Sequence, residues 1–252
     1  MKKFRILPFS LLLIATGCAE LTQLAQQTLN ENKPLTQNEI IAGLKEALVV
    51  GTGKSVDILG VTDGYYKDEM VKILLPPEAD IIVKNLNKIP GGNQLVEDVL
   101  LRINRAAEDA AKEAKPIFIN SIKKMTISDA LNILRGDDNA ATNYLRKTTY
   151  NNLVELYRPK IKASIDKKLV GNISTGQSWD SLTEKWNTVA NSAVGRLTGF
   201  KPVEVSLEDY LTRKALDGLF LKIAQEEKQI RENPAARITN LLKRVFGSVN
   251  SK

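Results

Sequence analysis

Residues 93–124 read NQLVEDVLLRINRAAEDAAKEAKPIFINSIKK, and this stretch decides the fold. Val96, Val99, Leu100, Ile103, Ala107, Ala110, Ala114, Ile117 and Phe118 fall on one continuous stripe at 100° per residue, which predicts a long amphipathic helix. Ala106, Ala107, Ala110, Ala111 and Ala114 are small enough to let a neighbouring helix approach closely. Pro116 predicts a kink near the end. A helix of this length cannot bury its stripe against itself, so partner elements must surround it.

Working outward, the flanks supply those partners as further helices. Downstream, Thr126-x-x-Asp129 predicts the cap of a short helix that Gly136 stops, and Asp137 or Asp138 the cap of the next, with Ala140, Ala141, Tyr144 and Leu145. Another helix passes Leu153, Leu156 and Tyr157, bends near Pro159 and reaches Gly171. After a Gly/Ser/Thr/Asn loop over 171–178, Trp179, Leu182, Trp186, Val189, Ala193 and Leu197 take helical spacing. Ser206-x-x-Asp209 opens a helix to about 232, and Asn233-Pro234 starts the last one, which Gly247 ends. Upstream, Thr36-x-x-Glu39 opens a helix through Ile40, Ile41, Leu44, Leu48 and Val49, with Gly51 and Gly53 as its punctuation. Pro77 opens a helix over about 78–88, closed by Gly91-Gly92. Only residues 60–77 read otherwise. Val71, Ile73 and Leu75 alternate before Pro76-Pro77, as in a short strand or an extended strap across helices. The expected fold is all-α: one domain over 36–247 of roughly ten helices with one short extended segment, followed by a polar tail at 248–252.

The other end of the chain reads as an address. Lys2, Lys3 and Arg5 precede an apolar run through Leu11, Leu12, Leu13 and Ile14, and Ala15-Thr16-Gly17 lead to Cys18. That order is a secretory signal, with an apolar part too short to span a bilayer as a mature helix. Ala15-Thr16-Gly17-Cys18 followed by Ala19 resembles the bacterial lipobox, with alanine at Ala15 where leucine is usual. The resemblance implies a lipoprotein signal peptide over 1–17 and lipidation of Cys18. Residues 18–35 then serve as a polar tether ending at Lys33-Pro34. Ala19 after the cysteine, rather than aspartate, implies the outer membrane, facing the periplasm.

Composition narrows the chemistry. Three of the 36 basic residues belong to the signal, and the rest are interleaved with 29 acidic ones. Nucleic acid is therefore not an expected partner, since it needs a clustered basic footprint. Cys18 is the sole cysteine and there is no histidine. An intramolecular disulfide is impossible, and the commonest general base and the imidazole zinc sites are removed together. No metal or cofactor is expected. Gly51-Thr52-Gly53-Lys54-Ser55 suggests a phosphate loop, but Leu48 stands where that pattern needs glycine, and the upstream residues are helical.

Two polar clusters remain. Asn104 and Glu108 share a helix face, and Arg105 is close enough to pair with Glu108. One reading is a surface ion pair of little energetic value. The other is a polar edge lining a groove, met by Asp129 or Tyr144 from the 126–147 segment. Farther on, Leu219, Phe220, Ile223 and Ile230 surround the angular position of Glu227, where a carboxylate is costly unless paired. Arg231 lies one turn on, and Arg237 lies in the expected first turn of the last helix, where its charge would oppose the dipole. Glu227 bridging Arg231 and Arg237 would solve both problems, as a structural clasp or as a place for an anion.

Asn104-Arg105-Ala106-Ala107-Glu108, Gly136 with Ala140-Ala141-Thr142-x-Tyr144, and Glu227 through Ile230-Arg231-x-x-Pro234-x-x-Arg237 to Val245-Phe246-Gly247 resemble the bacterial lipoprotein family catalogued as domain of unknown function 4197. The likeness covers roughly 38–247 and implies a helical envelope protein, mostly of Gram-negative bacteria, with no established activity and no catalytic residues to carry over. The expected function is a membrane-anchored periplasmic lipoprotein with a non-enzymatic binding or scaffolding role, its partner an envelope protein or a lipid. The first alternative is a carrier of a hydrophobic or anionic small ligand in a groove beside the 93–124 helix. The second is a carboxylate-dependent enzyme using Glu108, Asp129 or Tyr144. A carrier needs a deep apolar pocket, a scaffold an exposed apolar patch, and an enzyme carboxylates that meet in a cleft.

Overall fold

The computed structural model describes residues 33–89 and 91–249. The expected signal peptide, Cys18, all of the expected tether before Lys33 and the end of the tail lie outside the described residues. Nine α-helices occur among those described: α1 Gln37–Leu59, α2 Asp80–Lys84, α3 Gly92–Lys124, α4 Ala130–Arg135, α5 Ala140–Asp166, α6 Thr175–Asn191, α7 Ala193–Leu197, α8 Leu207–Glu232 and α9 Asn240–Gly247. No strand occurs among them, and the fold is all-α as expected.

The core is a ring of four long helices. α3 packs on α1 and α5, α8 packs on the same two, and α3 and α8 also touch across the middle. α3 and α5 run antiparallel, since Asp109 meets Lys167 and Glu113 meets Lys160. α5 and α8 do likewise, with Thr142 at Glu227, Arg146 at Asp217 and Arg158 at Asp209. The alanine stripe explains the close centre: Ala106, Ala107, Ala110, Ala111 and Ala114 have no exposed surface. Phe118 and Phe220 meet with their rings tilted and their centroids 5.3 Å apart. α6, carrying Trp179 and Trp186, covers α3, while α4 and α9 cover α1.

Several boundaries differ from expectation. α1 continues through Gly51 and Gly53, so the glycines do not punctuate it. Gly51 packs against α8, where a Cβ would meet Glu226 at 3.4 Å, an ordinary contact distance. α3 runs past Pro116 and α5 past Pro159 without a break, and α5 joins what read as two helices. The expected helix over 78–88 is a 3₁₀ turn, the five-residue α2 and a second 3₁₀ turn. Asn233-Pro234 opens a 3₁₀ turn rather than the last helix, which starts later on a Thr239 cap. Ser206 caps α8 through the Asp209 N–H as its spacing predicted.

Residues 60–77 form the expected strap. Val71, Ile73 and Leu75 are buried, while Lys72 is half-buried and Leu74 exposed, the period of two of an extended chain.

Candidate functional site

Asn104 and Glu108 are buried, so neither the surface pair nor an edge facing residues 126–147 describes them. They hold the strap. The Asn104 Oδ1 accepts the Ile73 N–H at 2.8 Å, and its Nδ2 donates to the Ile73 carbonyl at 2.8 Å. One side-chain amide thus stands where a neighbouring strand would be. Glu108 Oε1 accepts the N–H groups of Tyr65 and Tyr66, each at 3.1 Å. Its Oε2 takes Arg105 at 2.7 Å, and Arg105 also reaches Asp63 at 2.6 Å. Asp63 has a positive φ of 71°, a conformation aspartate tolerates better than most residues. Hydrogen bonds from Lys67 and Arg105 hold its carboxyl below the usual range. The partners were missed because periodicity on α3 says nothing about an irregular segment lying far away in sequence.

Asp129 and Tyr144 belong elsewhere. Asp129 is exposed, precedes α4 and accepts from Asn132 at 2.6 Å. The Tyr144 hydroxyl donates to the Thr126 carbonyl at 2.7 Å. Of the five residues of the expected groove, Asn104, Arg105 and Glu108 hold the strap, Tyr144 ties α5 to the segment after α3, and Asp129 bonds locally at the surface. Among the described residues no group of three or more Cys, Asp or Glu side chains is placed to hold a metal.

Glu227 has no exposed surface, as expected, and Arg231 meets it at 2.7 Å. Its other partners were not foreseen. Oε1 accepts the Ala141 N–H at 3.0 Å, and Oε2 accepts both the N–H and the hydroxyl of Thr142, at 2.7 and 2.6 Å. The carboxylate thus sits at the N-terminus of α5, where the helix dipole favours it. Arg231 also donates to the Leu134 and Ile133 carbonyls at the end of α4. Arg237 corrects the expected clasp. It follows the 3₁₀ turn rather than lying inside a helix, and it donates to the Ile230 and Arg231 carbonyls at 2.8 and 2.7 Å. A cation on the last carbonyls of α8 complements the dipole, so no carboxylate is required. Burial lowers its pKa from the usual arginine value.

The strap has a second set of holds, on α8. The buried Tyr65 donates to the Ala215 carbonyl at 2.8 Å, and Lys222 pairs with Asp68. Desolvation raises the Tyr65 pKa well above the usual value, so it stays protonated. Gly218 admits the Tyr65 ring, for a Cβ there would lie 2.7 Å from it. Tyr210 donates to the Leu74 and Leu75 carbonyls at 3.0 and 3.2 Å. Burial, with Glu78 and Asp80 adding to it, pushes its pKa up to about 12. A mid-helix glycine and three tyrosines, Tyr65, Tyr66 and Tyr210, were the available signals, and neither identifies its partner in sequence.

Between the strap, α5 and α8 lies a groove of about 890 Å³. Met70, Val71, Leu74 and Leu75 line it from the strap, Val83 from α2, Val96 and Leu100 from α3, and Phe220, Leu221 and Ala224 from α8. Asn143 and Arg146 contribute from α5, and Tyr210, Lys214 and Asp217 from α8. Arg146 pairs with Asp217 and lies over the rings of Tyr150 and Phe220, 5.0 and 5.3 Å from their centroids. An apolar trough with a few polar groups on its walls is suited to holding a ligand.

Residues 34–247 match the model of a family described as "Protein of unknown function (DUF4197)". No curated protein matches the chain significantly, and neither does any solved structure.

Proposed function

We propose that this chain, which belongs to the DUF4197 family, is a lipid-anchored envelope protein with a non-enzymatic binding role, and that the groove along α8 is its binding site. The carrying observation is the groove itself, whose volume of about 890 Å³ falls within the usual range for ligand sites and whose walls are mostly apolar. The lipobox-like Ala15-Thr16-Gly17-Cys18 supports the anchor, and Ala19 supports the outer membrane. A lipid on Cys18 would hold the body beside a membrane surface, with three acyl chains being more than stable anchoring needs.

The polar clusters support binding over catalysis. Glu108 spends its oxygens on the strap and Arg105, and Glu227 spends its own on α5 and Arg231. Scaffolding is the second reading, supported by Val194 and Leu197, which are 66% and 88% exposed on the short α7. Crosslinking in intact envelopes tests the two. A photoreactive residue in place of Ala224 should capture a ligand or partner, and adding Leu221→Trp to that chain should block the capture. Capture from Leu197 alone would favour the scaffold.

A further inference from the structure

We infer that the groove takes an extended, uncharged peptide segment, which adds to the strap as a strand; this deepens the proposed binding role and rests on it.

The strap is an incomplete sheet edge. Ile73 turns its N–H and carbonyl toward α3, where the Asn104 amide satisfies both. In an extended chain the flanking residues turn theirs the opposite way. That opposite edge borders the groove, which Lys72 and Leu74 line, and the Tyr210 hydroxyl closes it off at the Leu74 and Leu75 carbonyls, where the extended run ends. The Lys72 N–H is used by the Asp68 carbonyl, but the Lys72 carbonyl and the Leu74 N–H have no partner among the described residues. Those two groups are the acceptor and donor of one parallel rung. A single occupant residue would give its N–H to the Lys72 carbonyl and accept the Leu74 N–H on its own carbonyl.

Side chains and charge agree with that occupant. Met70, Leu74 and Val83 are 63%, 61% and 44% exposed, all on the groove, and an apolar segment laid along it would cover them. The groove follows α8 from Tyr210 to Ala224, about 21 Å at 1.5 Å per residue, which is about six residues of extended chain. Its charges nearly cancel: Arg146 faces Asp217, Lys214 and Asp80 contribute one of each sign, and Lys72 reaches Glu69 beside the groove at 3.9 Å. An occupant with its own net charge finds no complement there, whereas a neutral backbone finds a donor and an acceptor.

The test uses the full chain in lipid nanodiscs and a fluorescent, end-blocked hexapeptide alternating valine and serine. Binding should be measurable by polarisation, and an N-methyl scan should weaken it about tenfold at the position that serves the Lys72 carbonyl and little at its neighbours. Leu74→Pro should weaken binding similarly without lowering the melting temperature, because the fold does not use that N–H. If that variant misfolds, the methyl scan on the unaltered chain decides. Hexadecanoate binding with no peptide binding would overturn strand addition but leave the groove as a ligand site. Peptide binding with no dependence on the methylated position would also overturn it. Binding of neither probe would overturn both the inference and the groove reading.

Discussion

Glu227 is a fully buried carboxylate that persists because backbone N–H groups, a hydroxyl and a guanidinium surround it. Removing it strands Arg231 and uncaps α5 together. Glu227→Ala should therefore cost roughly 3–5 kcal/mol in urea melts, against almost nothing for the exposed Glu232→Ala. Replacing Glu227 and Arg231 together should cost less than the two single changes summed, and coupling to Arg237 should be weaker. The sequence disclosed the burden on Glu227, since a carboxylate among Leu219, Phe220, Ile223 and Ile230 needs a partner. It disclosed only Arg231, because an i,i+4 neighbour is set by helix geometry while the α5 N-terminus is brought there by packing. A second residue prediction concerns acid. Hydrogen bonding from Lys222 holds the Asp68 carboxyl below the usual aspartate value. The unfolded chain then takes up that proton first as pH falls, so the stabilisation is complete above about pH 4 and is lost through the lower, folded value. Asp68→Asn should be destabilising at neutral pH, with its deficit shrinking by about pH 3.

At the scale of the element, the strap depends on single side chains rather than on a ladder. Asn104→Leu leaves the Ile73 N–H and carbonyl facing an apolar group, a loss of about 1–3 kcal/mol. Hydrogen exchange over 65–75 should accelerate while the centre of α3 stays protected. Gly218→Ala should act from the other side by pushing the Tyr65 ring, again about 1–3 kcal/mol. The long helices were legible because their apolar stripes repeat over many turns. The 78–88 stretch was not, since a proline start and a few apolar residues suit a 3₁₀ turn as well as a helix. Gly51 and Gly53 misled for another reason: a glycine that ends a helix and one that a helix simply runs through look alike in sequence.

For the folded body as a whole, the all-helical class followed from the sheer number of helical stripes, but the groove did not. It exists only where the strap, α5 and α8 come together, and none of those segments marks its neighbours. The anchor is the molecular-scale prediction. Cys18→Ser should abolish palmitate labelling and shift the chain out of the membrane fraction, while an unlabelled, freely soluble unaltered protein would rule out the lipoprotein reading.

The packing of α1 has a consequence in time. Its buried face is closed by α8 and α9, with Val245 seated on Gly43 and Arg244 on Glu39. These contacts join residues made early to residues made some two hundred positions later. These contacts cannot form until synthesis is almost complete, although α1 meets α3 well before then. The part of α1 that α8 and α9 cover therefore waits, exposed, for the last residues of the chain to be made.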